Sequence, residues 1–149
     1  MTDSTLETTK HILRVRDLLM EFREILQQRG INHDDSKLKN PEKSGFDEMT
    51  EKLKSSTYGS DEYKQMLKDL QPTLDHHYSN NSHHPEYYPN GIDDMDLFDI
   101  FEMFADWKSA TERHENGDIH KSIDINKDRF KMSDQLYKIF KNTARNLNW

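Results

Sequence analysis

The chain has no cysteine, which removes disulfide frameworks, thiolate nucleophiles and sulfur-ligated zinc together and leaves the redox compartment open. Valine occurs once, at Val15, against thirteen leucines, so the apolar residues are chosen for helices and an all-β fold is excluded. Only five glycines and four prolines punctuate 149 residues, and no linker, internal repeat or low-complexity tract divides them. Basic charge is also in deficit. The formal net charge of −7 argues against a surface built to neutralise nucleic-acid phosphates or to lie on an anionic membrane. No long hydrophobic run occurs: the most apolar stretch, Leu97 to Ala105, is broken by Asp99 and Glu102, and Met1 to Glu7 carry neither a basic nor an apolar targeting region. The expectation is one cytoplasmic domain over residues 1–149, with no membrane partner and no extended nucleic-acid surface.

What remains is a chain with 32% hydrophobic and 33% charged residues, whose core must be small and well placed. From Thr8 to Gln28, Ile12, Val15, Leu18, Leu19, Phe22, Ile25 and Leu26 recur at three- and four-residue steps, predicting an amphipathic helix that Gly30 ends. Phe46, Met49 and Leu53 suggest a second helix, and Asp61 caps a third through Tyr63, Met66, Leu67 and Leu70. Pro72 is placed to open the next, which carries Leu74 and His77 and closes at Pro85. Asp93 or Asp94 caps the strongest helix, Leu97 to about Arg113, apolar all round and therefore expected at the centre. Leu136, Ile139 and Phe140 suggest a last helix. The fold class read from this pattern is all-α.

Histidine is the anomaly, because six of the eight stand at 11, 33, 76, 77, 83 and 84, with two doublets among them. Imidazole binds divalent transition metals through a neutral ring nitrogen, and carboxylates complete such sites. His11 lies on the inner face of the first helix, four residues before Val15, where an unpartnered imidazole is costly. Asp106, three residues after Met103, aims a carboxylate inward from the most apolar helix, where it needs a cation or a strong donor. His33-Asp34 sits between them, giving an H…HD…D series. On helical spacing His77, Asn81 and His84 share one face that continues Leu70 and Leu74. That makes His77 and His84 the inward pair and His76 and His83 the other, unless a break near Pro85 turns His83 inward. Taken singly, each of these residues also has a structural reading: His11 as a boundary histidine, His33-Asp34 as a helix cap, and the doublets as a polar helix face.

Over residues 8 to 114 the sequence resembles the HD-domain metal-dependent phosphohydrolase superfamily. His33-Asp34-Asp35-Ser36-Lys37 is similar to the HDxxK form of its motif, and Phe104-Ala105-Asp106-Trp107-Lys108-Ser109-Ala110 to the helix that carries its last ligand. The short length and the run from His76 to Glu86 look closest to small uncharacterised HD-like proteins of bacteria and tailed phages. The resemblance implies a compact helical bundle that holds one or two divalent ions (Mn, Fe, Co, Ni, Zn or Mg). It carries His11, His33, Asp34 and Asp106 over as ligands, with His77 and His84 as added ligands similar to those of binuclear relatives. No Gly-Tyr-Pro sequence follows His83-His84, so cyclic-dinucleotide specificity does not carry over.

The implied activity is hydrolysis of a nucleotide or related phosphate ester. Asp34 is the carboxylate nearest the attacking water, Lys37 the candidate for stabilising transition-state charge, and Glu86 or a doublet histidine the acid for the leaving oxygen. Lys37, Lys64 and Lys108 are the candidate phosphate contacts in an otherwise acidic chain. The alternatives are a non-catalytic protein that sequesters a nucleotide, and a di-iron oxygenase on the same fold.

Overall fold

The computed structural model describes the backbone of residues 3–55, 61–113 and 115–149, and the side chains of these except at 51–55, 61–64 and 67. The described residues contain no strand, and the protein is all-α. Among the described residues six α-helices follow one another: α1 (Thr5–Asn32), α2 (Glu42–Ser55), α3 (Asp61–Asn80), α4 (Leu97–Thr111), α5 (Ile119–Arg129) and α6 (Asp134–Asn146). Short 3-10 turns occupy Asp35–Leu38, Pro85–Tyr87 and Gly91–Asp94. The chain forms two compact units, Met1–His33 and Asp34–Trp149.

The first unit is α1. Gly30 does not end it: the helix continues to Asn32, and the chain leaves helical geometry only at His33 (φ −53°, ψ 127°). The turn expected of a glycine is made instead by Asp34, at φ 57° and ψ 18° in the left-handed region, where aspartate is among the few tolerated side chains.

In the second unit, α2 packs beside α3. Gly45 permits the approach, since a Cβ there would stand 2.1 Å from Thr73 Oγ1 and 2.9 Å from Thr73 Cγ2. Pro72 does not open a helix as expected. It lies inside α3, where its missing N–H forfeits one helical bond. Leu70 and Leu74 flank it and pack with Met49, Met66 and Phe46, so tertiary contact carries the helix past the proline. The expected cap at Asp61 falls outside the described side chains.

A larger core joins α4, α5 and α6 through Met103, Phe104, Trp107, Ile123 and Phe140. Full burial of side chains of this size contributes about 1.5–3 kcal/mol each. The cap of α4 is Asp96 rather than Asp93 or Asp94. Its carboxylate accepts from the backbone N–H groups of Phe98 and Asp99, while the Asp99 side chain accepts from Asp96 N. Nor is α4 buried all round, because Leu97 and Phe101 are exposed while Met103, Phe104 and Trp107 are buried. Helix α5 has no counterpart in the periodicity reading. It is started by Asp118, which accepts from His120 N at 2.8 Å, and held by two buried isoleucines, 119 and 123.

Candidate metal centre

Four side chains of the second unit converge: Asp34, His77, His83 and His84 each bring one ligand atom to within 4.8 Å of the other three. Asp34 enters from the left-handed residue before the first 3-10 turn, His77 from the last turn of α3, and the other two from the segment that follows that helix. His77 Nε2 stands 3.3 Å from Asp34 Oδ1 and 2.9 Å from His84 Nε2, and His83 Nε2 stands 3.5 Å from the same carboxylate oxygen.

The far edges of two of these rings are fixed by carboxylates. His77 Nδ1 donates to Glu42 Oε2 at 2.8 Å, and His83 Nδ1 faces Glu102 Oε1 at 3.1 Å. A carboxylate only accepts, so in both rings Nδ1 carries a hydrogen, and the ring in its neutral form aims an Nε2 lone pair at the cluster. Metal-ligating histidines are commonly oriented in this way, with the second ring nitrogen held by a carboxylate. The buried atoms Asp34 Oδ1 and His83 Nε2 complete no hydrogen bond, although Asp34 holds Lys37 through its other oxygen and His83 holds Glu102. Burial, with His83 and His77 alongside, pushes His84 from its usual 6.5 down to about 3, while Asp106 and Asp34 pull the other way. At neutral pH His84 therefore offers a neutral ring. Three imidazoles and a carboxylate suit the Mn-to-Zn series without any sulfur ligand.

Glu42 is the anchor that sequence reasoning missed. It is fully buried, and it accepts from Ser36 Oγ, His76 Nδ1 and His77 Nδ1, each at 2.8 Å. Burial alone would favour the neutral acid, but the donors from His76, Ser36 and His77 outweigh it and hold the carboxyl below its ordinary 4.5. The Gly45–Thr73 contact sets this geometry, since Glu42 lies about one turn before Gly45 and His76 about one turn after Thr73 on the neighbouring helix. Asn81 donates to Ser36 Oγ at 2.8 Å and to the carbonyl of His77 at 2.7 Å, closing the network around the end of α3.

The other expected residues are placed as follows. His84 joins the cluster as expected, but so does His83, because α3 ends at Asn80 and helical spacing no longer governs the second doublet. His76 keeps its ring partly exposed. Asp106, on α4, brings a carboxylate oxygen within 4.8 Å of one from Asp34, as expected, and acts electrostatically on His84. Lys37 holds Asp34 Oδ2 at 2.6 Å. Glu86 is ion-paired with Arg129 at 2.7 Å and lines two cavities of about 510 and 470 Å³, outside the four converging residues. Lys108 pairs with Glu112 at 2.9 Å and lies over the Trp149 ring, so it too is engaged away from the cluster. The Lys64 side chain lies outside the described residues.

Within the first unit, His11 and His33 sit near opposite ends of α1. Twenty-one residues of continuous helix separate His11 from Asn32, roughly 32 Å at 1.5 Å per residue. One ion cannot take both, which corrects the expectation of a shared His11, His33 site.

A family model matches residues 1–146. The chain belongs to the family of unknown function DUF5662. No curated protein and no solved structure matches it. Among the described residues of this DUF5662 chain, no helix is long and apolar enough to cross a membrane.

Proposed function

We propose that this DUF5662 chain is a metal-dependent phosphohydrolase of HD-domain type, acting on a nucleotide or related phosphate ester. The observation that carries the metal reading is the convergence of Asp34, His77, His83 and His84, with the far nitrogens of His77 and His83 held by Glu42 and Glu102. A divalent ion held there supplies acidification of bound water and neutralisation of phosphoryl charge. The remaining chemistry belongs to the chain. Glu42 and Glu102 fix the ring orientations, so the donor atoms need little rearrangement on binding. Lys37 is a cation at hand for phosphate, already held by Asp34 Oδ2 and partly exposed. Activity as such is supported by the resemblance of the His33–Lys37 and Phe104–Ala110 segments rather than by geometry.

The test is a screen of protein loaded with Mn, Co, Fe or Zn against nucleoside mono-, di- and triphosphates and cyclic nucleotides, with every product identified by mass. Release of phosphate or pyrophosphate, or opening of a diester, is expected. Chelation, Asp34→Asn and His84→Ala should abolish it. Ligand recovered intact from fully loaded protein rejects the hydrolase in favour of sequestration, and iron-dependent oxygen consumption redirects it to oxidation. Elemental analysis of His33→Ala decides whether the residue before Asp34 joins the site.

A further inference from the structure

Asp99 is not one of the converging side chains, yet it is only 2% exposed and each of its oxygens accepts a short bond. Ser82 Oγ donates to Oδ1 at 2.6 Å, and Tyr88 OH donates to Oδ2, also at 2.6 Å. Oδ2 accepts in addition from Asp96 N at 3.2 Å, the return bond of the α4 capping box. An acidic side chain at the third position of a helix needs only that return bond to cap it, and ordinarily makes it at the surface. Burial of the carboxylate and recruitment of two hydroxyls from 17 and 11 residues earlier in the chain exceed what capping requires.

The two donors bracket the segment that holds the second histidine doublet. Ser82 immediately precedes His83 and His84, and Tyr88 follows the 3-10 turn Pro85–Tyr87. The segment is neither α-helix nor strand, so backbone pairing alone does not set the two rings. One turn farther along α4, Glu102 takes His83 Nδ1. Asp99 and Glu102 are thus an i, i+3 pair on one helix face, the first fixing both ends of the segment and the second the ring within it.

We infer that Asp99 is a positioning residue, a two-hydroxyl clamp through Ser82 and Tyr88 that presets His83 and His84 for a divalent ion. The inference rests on the metal-centre reading above. It does not require Asp99 to touch the ion or the substrate.

The experiment is titration of the full-length apo-protein with Co²⁺, read by visible absorption, for wild type, Ser82→Ala, Ser82→Thr, Tyr88→Phe and Asp99→Asn, with folding checked by circular dichroism. Loss of a clamp hydroxyl should weaken Co²⁺ binding by about tenfold or more, the usual effect of removing a support behind a metal ligand. Ser82→Thr keeps the hydroxyl and should keep wild-type affinity and spectrum. Folded Ser82→Ala and Tyr88→Phe with affinities within twofold of wild type overturn the clamp, whatever becomes of Asp99→Asn. If wild type takes up no Co²⁺, the metal reading itself fails, and hydrogen exchange in the apo-protein judges the clamp separately. Faster exchange at residues 83, 84, 86 and 87 in Tyr88→Phe, with α5 and α6 unchanged, supports it, and unchanged exchange there overturns it.

Discussion

His77 and His84 meet nitrogen to nitrogen, Nε2 to Nε2, at 2.9 Å. The other nitrogen of His77 is committed to Glu42, and His84 is kept neutral by burial and by the neighbouring imidazoles. Two neutral rings in this arrangement satisfy each other only when His84 presents its Nε2 hydrogen to His77. A cation placed among them takes the lone pair of His77, and that of His84 once its hydrogen has moved to Nδ1, with Asp34 supplying the charge.

Metal binding should therefore raise stability. At free Co²⁺ about 100 times its Kd, the folded state gains about 2.7 kcal/mol. For a chain of this length that is roughly 5–10 °C in Tm by calorimetry. His84→Ala should lose the Co²⁺-dependent shift while remaining helical. A full shift in that variant removes His84 from the site.

Glu42→Gln keeps the shape of the buried acceptor and removes its charge. Three donors then share a neutral amide, one of whose two ends is itself a donor, so stability should fall by about 3 kcal/mol, the range for breaking a buried charged network. Co²⁺ affinity should fall tenfold to a hundredfold, because His77 loses the carboxylate that orients its ring. Urea unfolding and metal titration on one preparation separate the two effects. An unaltered metal affinity would show that Glu42 serves only the packing of α2 on α3.

Tyr88 gives the pH dependence. Burial first, and then its hydrogen bond to Asp99, push the phenol from 10 up to about 12. Between those values the unfolded chain has released the proton while the folded chain retains it, so stability falls as pH rises from 10 towards 12. Absorbance at about 295 nm should show one late-ionising tyrosine that Tyr88→Phe removes. The variant should also show a shallower alkaline loss of stability. Loss in the variant of a tyrosine that ionises at about 10, with the late one still present, would contradict the bond to Asp99.

Lys37 is paired with Asp34 at 2.6 Å, and replacing it tests the phosphate role. Lys37→Ala should lower turnover of the substrate found in the nucleotide screen by about 100-fold, the scale of losing one transition-state charge partner. Its Co²⁺ affinity should stay within a few fold, since Asp34 then faces the ion with less competition. Turnover that declines only in step with metal occupancy would reduce Lys37 to holding Asp34.

Histidine clustering was legible because two adjacent doublets stand out in a sequence and imidazole is chemically restricted, and the His33-Asp34 dipeptide because it adjoins Lys37 in a motif-like run. Their carboxylate supports were not. Glu42 and Glu102 look like surface residues in a chain one-third charged, and only the close approach of α2 to α3 at Gly45 brings the first to His77. Helical spacing paired His77 with His84 but left His83 aside, because it took a helix past Asn80 where the chain turns. The same periodicity overlooked α5, whose buried apolar side is two isoleucines and whose start is an aspartate cap. It also placed a helix start at Pro72, where flanking leucines instead hold one helix together. Long-range contact decided each of these, and sequence spacing carries little of that information.

The left-handed backbone of Asp34 narrows what evolution or a protein engineer can put there. Glycine and asparagine suit the backbone but bring no negative charge, while glutamate brings the charge on a side chain one methylene longer and on a residue that avoids this conformation. Aspartate alone satisfies both demands. Asp34→Asn is thus the substitution that removes the charge while leaving the turn intact, and Asp34→Glu should harm the turn before it says anything about chemistry.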